Sequence, residues 1–284
     1  NGKVVAQRAG IADLLGVYQG YEVVITVSVE KTMVHLENTL NFELADLKPV
    51  RFNVQENEVG IVYLNEVVIG DLANGKIELD ESKYPTASEE LGLREIVVET
   101  SKAKYVLTAN LYSMLIETPE ELDAWHAHAF ANGDDGYYAL ANNIYYNGVY
   151  AGSRNWDKSG YRWANPDTAG FKGVFDGNGY VIDGLRIEAG YRGFVTILQK
   201  EGVIKNIAFT NAAYSAVGAY VCQWGCGTIE NVYVQYAKDA ATGYWDKNAA
   251  VGGTFMSTDN IFNMTGKMTI KNCFVDASRT MLTH

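Results

Sequence analysis

The chain has 284 residues, of which 48% are hydrophobic, so it can bury sizeable cores and is not an intrinsically disordered polymer. Its net charge of −11 and its isoelectric point near 4.9 argue against binding to nucleic acid or to an anionic membrane surface. The length predicts two or three domains. No segment approaches the ~20 consecutive apolar residues of a membrane-spanning helix, so we expect no membrane insertion.

Residues 1–29 contain the alternating apolar pattern of β-strands, most clearly between Val24 and Val29. Together with Gly2-Lys3-Val4, Ala9–Ala12 and Tyr18–Gly20, this segment resembles the last strands of a bacterial immunoglobulin-like domain of group 2. Such a sandwich needs two facing sheets, so the resemblance implies that residues 1–29 are only the C-terminal part of one. Either the rest of that domain precedes the chain, or these strands pair with the next module.

Residues 30–116 are predicted to be all-β, because short apolar runs alternate with turn signals such as Ala73-Asn74-Gly75 and Thr100-Ser101-Lys102. A hairpin is expected between Leu93 and Asn110. We predict a second immunoglobulin-like β-sandwich here. Its expected strands are Val50–Gln55, Val59–Ile69, Gly75–Leu79, Leu93–Glu99 and Tyr105–Ile116.

A short helix is predicted to begin after Thr118, because Thr118 can cap its N-terminus, Pro119 suits the first helical position and Glu121 completes a capping box. The helix should extend to about residue 131. Its apolar residues include Leu122 and Trp125. We expect it to cover the open first end of the repeat domain that follows, and so to protect a strand edge.

Four copies of a short pattern recur in the last third of the chain, at intervals within the about 20–50 residues typical of stacked repeats. Each copy has an apolar residue, a polar residue, Asn or Gly, and then a second apolar residue that starts another alternating run. Asn and Gly tolerate a left-handed backbone, so each copy predicts a strand, a sharp bend and a second strand. The copies are Ile182–Leu185, Ile204–Ile207, Ile229–Val232 and Ile270–Cys273.

Repeated bends of this kind predict that the chain winds in successive coils and that Asn206, Asn231 and Asn272 stack as a ladder of amides. The longer interval before the last copy indicates a surface insertion within residues 240–260.

Phe171–Leu185, followed by Gly193-Phe194-Val195 and Gly202–Ile207, resembles the opening coils of a pectate-lyase-like right-handed parallel β-helix. More narrowly, it is similar to the glycine-rich GLUG-like repeats of bacterial surface proteins. The resemblance covers about residues 137–284. It implies an all-β protein in which a capping helix and a parallel β-helix occupy residues 117–284. No capping segment follows the last copy, so we expect the β-helix to be truncated at its C-terminus.

Three cysteines cannot all pair with one another. Cys273 occupies an inward position of the repeat and should pack in the core as a small hydrophobe. Cys222 and Cys226 are interpreted as core residues, with a local disulfide as the alternative.

No metal site is predicted. His126 and His128 point in nearly opposite directions on a helix, which disfavours a shared ion. The segment Asp176–Gly179 lacks the spaced acidic ligands of a calcium loop and is interpreted as a tight turn, with calcium as the alternative.

Two polar insertions carry the strongest functional signal, because each contains the same three residues, Trp156-Asp157-Lys158 and Trp245-Asp246-Lys247. An aromatic ring has an apolar face that can stack on a sugar ring, while neighbouring polar groups bind hydroxyls. The alternative is that the rings anchor the insertions to the β-helix. The candidate glycan contacts are Trp156, Asp157, Tyr161, Trp163, Trp224, Tyr244, Trp245 and Asp246.

These patterns favour a non-catalytic, extracellular bacterial surface protein that presents a β-helix to a glycan or another cell-surface ligand. One alternative is a polysaccharide lyase or glycoside hydrolase with a groove along the β-helix. However, no pair of aspartates recurs on the repeated strands, and the nucleophile and phosphate-binding motifs of other enzyme classes are absent. Another alternative is a structural spacer of a larger adhesin. No cofactor is expected.

Overall fold

The computed structural model describes residues 5, 9–54, 58–129, 134–146, 170–187, 193–214, 219–241 and 266–276, and the chain divides into two compact units. Unit 1 comprises Asn1–Pro85 and Leu91–Leu111, and unit 2 comprises Thr86–Glu90 and Tyr112–His284. The described residues contain many strands and a single α-helix, which confirms the prediction of an all-β protein. Among these residues, no helix combines the length and the apolar character needed to cross a lipid bilayer.

Unit 1 begins with an antiparallel hairpin of two strands, β1 (Gly10–Tyr18) and β2 (Tyr21–Val29). The turn between them uses Gln19 and Gly20, both with positive φ. Most of its side chains are exposed, including large apolar ones. The exposed large apolar residues of the hairpin are Ile11, Leu15, Val17, Tyr18, Tyr21, Val23, Val24 and Ile25.

The other strands of unit 1 form one seven-stranded sheet in the order β3-β9-β8-β5-β6-β7-β4, antiparallel from β9 to β4. These seven strands join into one hydrogen-bonded sheet, whereas an immunoglobulin-like sandwich has two facing sheets. The sandwich stays a prediction. The strands are β3 (Thr32–Glu43), β4 (Val50–Arg51), β5 (Gly60–Leu64), β6 (Val67–Ala73), β7 (Lys76–Leu79), β8 (Gly92–Thr100) and β9 (Ala103–Tyr112), with 3-10 turns at Leu44–Asp46 and Glu81–Lys83.

The predicted hairpin around residues 100–103 is confirmed, since β8 and β9 pair from Gly92↔Leu111 to Glu99↔Lys104. The single strand predicted over Val59–Ile69 is wrong, because Asn65 and Glu66 both adopt positive φ and turn the chain between β5 and β6. The sequence analysis also missed β3.

The domain boundary predicted at residue 117 stays a prediction. The longer segment of unit 2 begins at Tyr112, and its strand at residues 114–116 pairs in parallel with the strand at residues 137–140. Its elements are β10 (Met114–Ile116), α1 (Pro119–Ala129), β11 (Tyr137–Leu140), β12 (Ile144–Tyr145), β13 (Val174–Asp176), β14 (Val181–Asp183), β15 (Arg186–Ile187), β16 (Val195–Leu198), β17 (Val203–Tyr214), β18 (Cys222–Gly225), β19 (Thr228–Ala241), β20 (Thr269–Lys271) and β21 (Phe274–Asp276).

These strands pair in parallel, and we call them the parallel stack. A first row runs β10-β11-β13-β17-β19-β20, and a second row runs β12-β14-β17-β19-β21. The long strands β17 and β19 belong to both rows because they bend at Asn206 and Asn231, whose φ angles are 53° and 54°. A separate pair, β16 and β18, is also parallel.

The register confirms that Ile204, Ile229 and Ile270 are equivalent, since they pair in succession. The first copy, Ile182–Leu185, was wrongly aligned with the other three copies. Ile204 pairs with Phe175, whereas Ile182 pairs with Phe209 in the second row. Phe175-Asp176-Gly177 and Ile182-Asp183-Gly184 have the same apolar–Asp–Gly pattern, so the pattern alone could not separate the two rows.

The capping box of α1 is confirmed. The Glu121 amide donates to Thr118 Oγ1 (3.2 Å), and the Glu121 carboxylate accepts from the amides of Thr118 (3.0 Å) and Glu117 (2.7 Å). Leu122 and Trp125 are both buried in the core of unit 2.

An aromatic column runs through this core. The Trp125 ring lies 4.4 Å from that of Phe175, which lies 5.0 Å from that of Phe194. Phe194 lies 5.0 Å from Phe209, and Phe209 lies 5.5 Å from Tyr220. Residues far apart in sequence therefore fill a continuous interior, and α1 contributes its tryptophan to that interior.

Candidate functional site

A ladder of side-chain amides lies along the bend of the first row. Asn272 Nδ2 donates to Asn231 Oδ1 (3.2 Å), and Asn231 Nδ2 donates to Asn206 Oδ1 (2.9 Å). Asn206 Nδ2 then donates to Asp176 Oδ1 (3.0 Å). All three asparagines have a φ near 50°, which asparagine tolerates better than most residues. The donors all point the same way along the stack, and the chain of bonds ends on a carboxylate.

Asp176 is the centre of a cluster on the outer face of the first row. Besides Asn206, its carboxylate accepts from the Tyr137 hydroxyl (2.8 Å) and from the Asn178 amide (2.9 Å). Lys205 Nζ lies 3.2 Å from Asp176 Oδ2 and 5.3 Å from the centre of the Tyr137 ring. We call Tyr137, Asp176, Lys205 and Asn206 the Asp176 cluster.

The sequence analysis did not single out the Asp176 cluster, because its members lie far apart in the chain. The signal that could have found it is the register, which places Asp176 directly opposite Lys205.

The electrostatics of the cluster hold Tyr137 and Lys205 in their ordinary protonation states at neutral pH. Burial, with a contribution from Asp176, raises the pKa of Tyr137 to about 12. Burial alone would lower the pKa of Lys205, but its hydrogen bond with Tyr137 and the charge of Asp176 outweigh burial, so that this pKa is raised. Lys205 therefore stays a cation at neutral pH, and Tyr137 stays a neutral hydrogen-bond donor.

The Asp176 cluster can make hydrogen bonds and ion pairs but is poorly suited to proton abstraction. A general base must be unprotonated near the working pH, and the raised pKa of Lys205 opposes that state. The Asp176 carboxylate already accepts from several protein donors, so it acts as a clamp between neighbouring strands.

Charges of opposite sign follow one another across the first row. The register aligns Asp176 with Lys205, Lys205 with Glu230, and Glu230 with Lys271. Opposite charges on directly opposed residues stabilise a sheet. Lys271 on β20 is the last residue of this series among the described residues.

A second corner of the stack repeats the same chemistry. Asp183 Oδ1 accepts from Thr210 Oγ1 (2.6 Å) and from Asn211 Nδ2 (2.6 Å). Asn211 has a φ of 49°, and Gly184 has a φ of 73°. The sequence analysis predicted the bend at Gly184 but missed the one at Asn211, although Phe209-Thr210-Asn211 has the same apolar–polar–Asn order as the ladder segments.

Of the glycan candidates, the structure describes Trp224. It lies on β18 and is 9% exposed, in a small cluster with Ile197 and Cys226. The remaining candidates lie outside the described residues, and their role stays a prediction. They are Trp156, Asp157, Tyr161, Trp163, Tyr244, Trp245 and Asp246.

The three cysteines are all free thiols. Cys222 is fully buried, and burial raises its pKa well above the ordinary value. Cys273 packs against the core of unit 2, which confirms its predicted inward position.

Within the described part of the chain, no group of three or more His, Cys, Asp or Glu side chains is arranged to hold a metal ion. His126 is buried beside Trp125, with their rings 6.3 Å apart. At Asp176–Gly179 the chain makes a tight turn, as predicted, with positive φ at Asn178 and Gly179.

Comparison of the chain with models of known protein families, with curated proteins and with solved structures gave no match. A function is therefore argued from the fold and from the residues of the chain itself.

Proposed function

We propose that this chain is part of an extracellular bacterial surface protein, in which immunoglobulin-like modules precede a non-catalytic, right-handed parallel β-helix that presents a glycan-binding surface. Unit 2 would be the β-helix with α1 as its cap, and unit 1 would contain the immunoglobulin-like strands. The function rests on the two insertions that share the sequence Trp-Asp-Lys.

The observation that carries the proposal is where the insertions join the parallel stack. The first follows Tyr146, whose amide donates to the Asp183 carbonyl (3.0 Å) just after β12. The second follows Ala241 at the end of β19. Tyr146 follows the second row, in which β14 and β17 separate β12 from β19. Ala241 lies beyond that row, where it pairs with Tyr214, the partner of Ile187 in β15.

Two insertions that share the sequence Trp-Asp-Lys suit a ligand with repeating units. The strands that precede them, β12 and β19, are three strand spacings apart in the second row, roughly 14 Å at about 4.8 Å per spacing. A glycan chain offers repeated apolar ring faces and hydroxyls over such a length, and Trp with Asp and Lys matches both features. The attachment of both insertions to strands of one parallel stack supports contact with one extended saccharide.

The electrostatics favour binding over catalysis at the described face of the stack. Lys205 stays protonated and the Asp176 carboxylate is engaged by protein donors. A lyase or hydrolase acting at this face would need an available base or acid there.

The test is a glycan array with the wild-type chain, Trp156→Ala, Trp245→Ala and the double variant. We expect each single variant to weaken binding to the glycans that the wild type captures, and the double variant to abolish it. Tyr21→Ala is the matched control, because it removes an exposed aromatic ring in unit 1, outside the two insertions. This variant should bind as the wild type does. Circular dichroism checks that every variant keeps its β-structure.

The same glycans are then assayed for new reducing ends and for unsaturated products. Product formation would replace the binding role with hydrolase or lyase activity. A wild-type chain that captures no glycan would refute the proposal and leave the spacer interpretation.

A further inference from the structure

Two side-chain contacts show how the first strand of the seven-stranded sheet of unit 1 meets its last strand. Thr39 Oγ1 lies 2.8 Å from Thr108 Oγ1, and Asn110 Nδ2 donates to Asn41 Oδ1 (2.9 Å). Both pairs have the same sequence separation, 69 residues. A constant separation indicates parallel strands, because in an antiparallel pair the number of one partner falls as the number of the other rises. The neighbouring strands β3 and β9 therefore run in parallel.

Contacts at the two ends of β3 agree with this direction. Lys31, just before β3, pairs with Glu99, whose carboxylate also lies 3.2 Å from Lys104 Nζ near the start of β9. At the other end, the buried Tyr84 hydroxyl donates to the Phe42 carbonyl (2.9 Å). The start of β3 therefore lies beside the start of β9, and the end of β3 is fixed in the core.

This arrangement determines how the sheet bears tension along the chain. The chain enters the sheet at the start of β3 and leaves it at the end of β9, and these two points lie at opposite ends of the parallel pair. Tension would pull the two strands in opposite directions along their own length, so the hydrogen bonds between them share the load. The other strands of the sheet lie between β3 and β9 in sequence, so they carry no tension while this pair holds.

The β1–β2 hairpin has the opposite geometry. Its open end is formed by Gly10 and Val29, which pair with each other. Tension at these two residues would separate the strands one pair at a time. A single hydrogen bond contributes only about 0.5–1.5 kcal/mol to stability, so a contact that opens bond by bond resists little force.

We propose that the paired strands β3 and β9 are a shear clamp, which lets the sheet of unit 1 carry tension along the chain without unfolding. The hairpin would open first, and the sheet would stay intact at that load. In a surface protein, such a clamp transmits load between the point where the chain is held and a bound ligand. This inference does not depend on the aromatic insertions or on glycan binding.

The test is single-molecule force spectroscopy of the full chain in a Cys273→Val background, in which the remaining thiols, Cys222 and Cys226, are buried. Handles are attached to azide-bearing amino acids placed at the exposed positions Glu30 and Glu117. Opening of the clamp should add about 300 Å of extended chain for this segment, at about 3.5 Å per residue.

The matched control pulls on the same two strands in another direction. One handle stays at Glu30, and the other moves to the exposed Ser101, in the turn before β9. Both handles then lie at the starts of the two strands, so tension peels them apart. We expect the rupture force between Glu30 and Glu117 to be at least about threefold higher, because several hydrogen bonds of about 1 kcal/mol break together instead of singly. Equal rupture forces in the two directions would overturn the proposal.

A disulfide across the pair identifies the strands that bear the load. In Thr39→Cys/Thr108→Cys, the new thiols replace hydroxyls that lie 2.8 Å apart. The oxidised bridge withholds the residues between them, so the gain in length between Glu30 and Glu117 should fall to about 60 Å at about 3.5 Å per residue. Reduction should restore the full gain.

Failure of this disulfide to form, or the full gain in length from the oxidised protein, would also overturn the proposal. None of these outcomes bears on the glycan array, so the two proposals fail separately.

Discussion

At the scale of single residues, the corner asparagines combine two roles. Each adopts a left-handed backbone, which costs most residues about 1–2 kcal/mol, and each passes an amide hydrogen bond to the next strand. The sequence predicted Asn206, Asn231 and Asn272 because asparagine recurs at one position of a repeated pattern. It could not predict Asp176 as the end of the ladder, because no pattern marks which carboxylate accepts the hydrogen bond from Asn206.

Replacing Asn231 by Leu tests this double role. We expect Asn231→Leu to lower the free energy of unfolding by about 2–3 kcal/mol, because it strains the bend and removes two amide bonds. Asn231→Gly keeps the backbone preference and should cost about half as much. Urea denaturation of both variants measures the difference. Equal losses for Leu and Gly would show that the left-handed backbone does not matter at this bend.

Tyr137 makes the stability of unit 2 depend on pH in the alkaline range. Its pKa is raised to about 12 in the folded chain from an ordinary value of 10.0. Its contribution to stability is therefore fully present below pH 10 and is lost as the pH rises through about 12, because the unfolded chain loses this proton first.

Tyr137→Phe should accordingly reduce the steepness with which stability falls between pH 10 and 12. Denaturation midpoints of the two proteins across this range supply the measurement. Identical slopes for wild type and variant would contradict the raised pKa of Tyr137.

At the scale of secondary-structure elements, local signals predicted α1 well. Thr118, Pro119 and Glu121 specify a helix start through neighbouring residues alone, and the capping box forms as expected. The turn at Asn65 and Glu66 was missed, because an apolar run on each side resembles one long strand. A two-residue turn without glycine gives a weak local signal.

The alternating pattern of residues 1–29 predicted strands, and β1 and β2 pair with each other as a hairpin whose large apolar side chains are mostly exposed. One face consists of uncharged residues, because Leu14, Tyr18, Tyr21, Val23 and Ile25 all point to the same side. An exposed apolar strand pair promotes association between chains.

The double variant Val23→Lys/Ile25→Lys should therefore reduce concentration-dependent association, as measured by static light scattering. Because both side chains are more than half exposed, the midpoint of thermal unfolding should hardly change. A large fall in that midpoint would instead mean that the hairpin face is packed against other residues.

At the scale of the whole molecule, the repeat predicted parallel stacking, but only the structure shows which residues pair on neighbouring strands. Ile204, Ile229 and Ile270 were aligned correctly because their segments share a corner asparagine. Ile182 was assigned to the same row, whereas it pairs with Phe209 in the second row. Both corners use an apolar residue, a polar residue and then Asn or Gly, so the sequence pattern does not say which corner a copy occupies.

The in-register parallel stack is the physical basis of the proposed function, since it sets the strands from which the insertions leave. Lys205 and Glu230 are directly opposed on neighbouring strands, whereas Lys205 and Lys271 are separated by one strand. Neighbouring strands lie about 4.8 Å apart, and a disulfide needs Cα atoms about 4.4–6.8 Å apart.

Oxidative cross-linking of cysteine pairs, read by mass spectrometry, tests this arrangement most directly. In the background for this test, Cys273 is replaced by Val, the residue found at the equivalent position Val232. In this background we expect Lys205→Cys/Glu230→Cys to form an intramolecular disulfide. Lys205→Cys/Lys271→Cys should remain reduced, because its Cα atoms are about 9.6 Å apart. A disulfide in the second pair and none in the first would contradict the parallel stack.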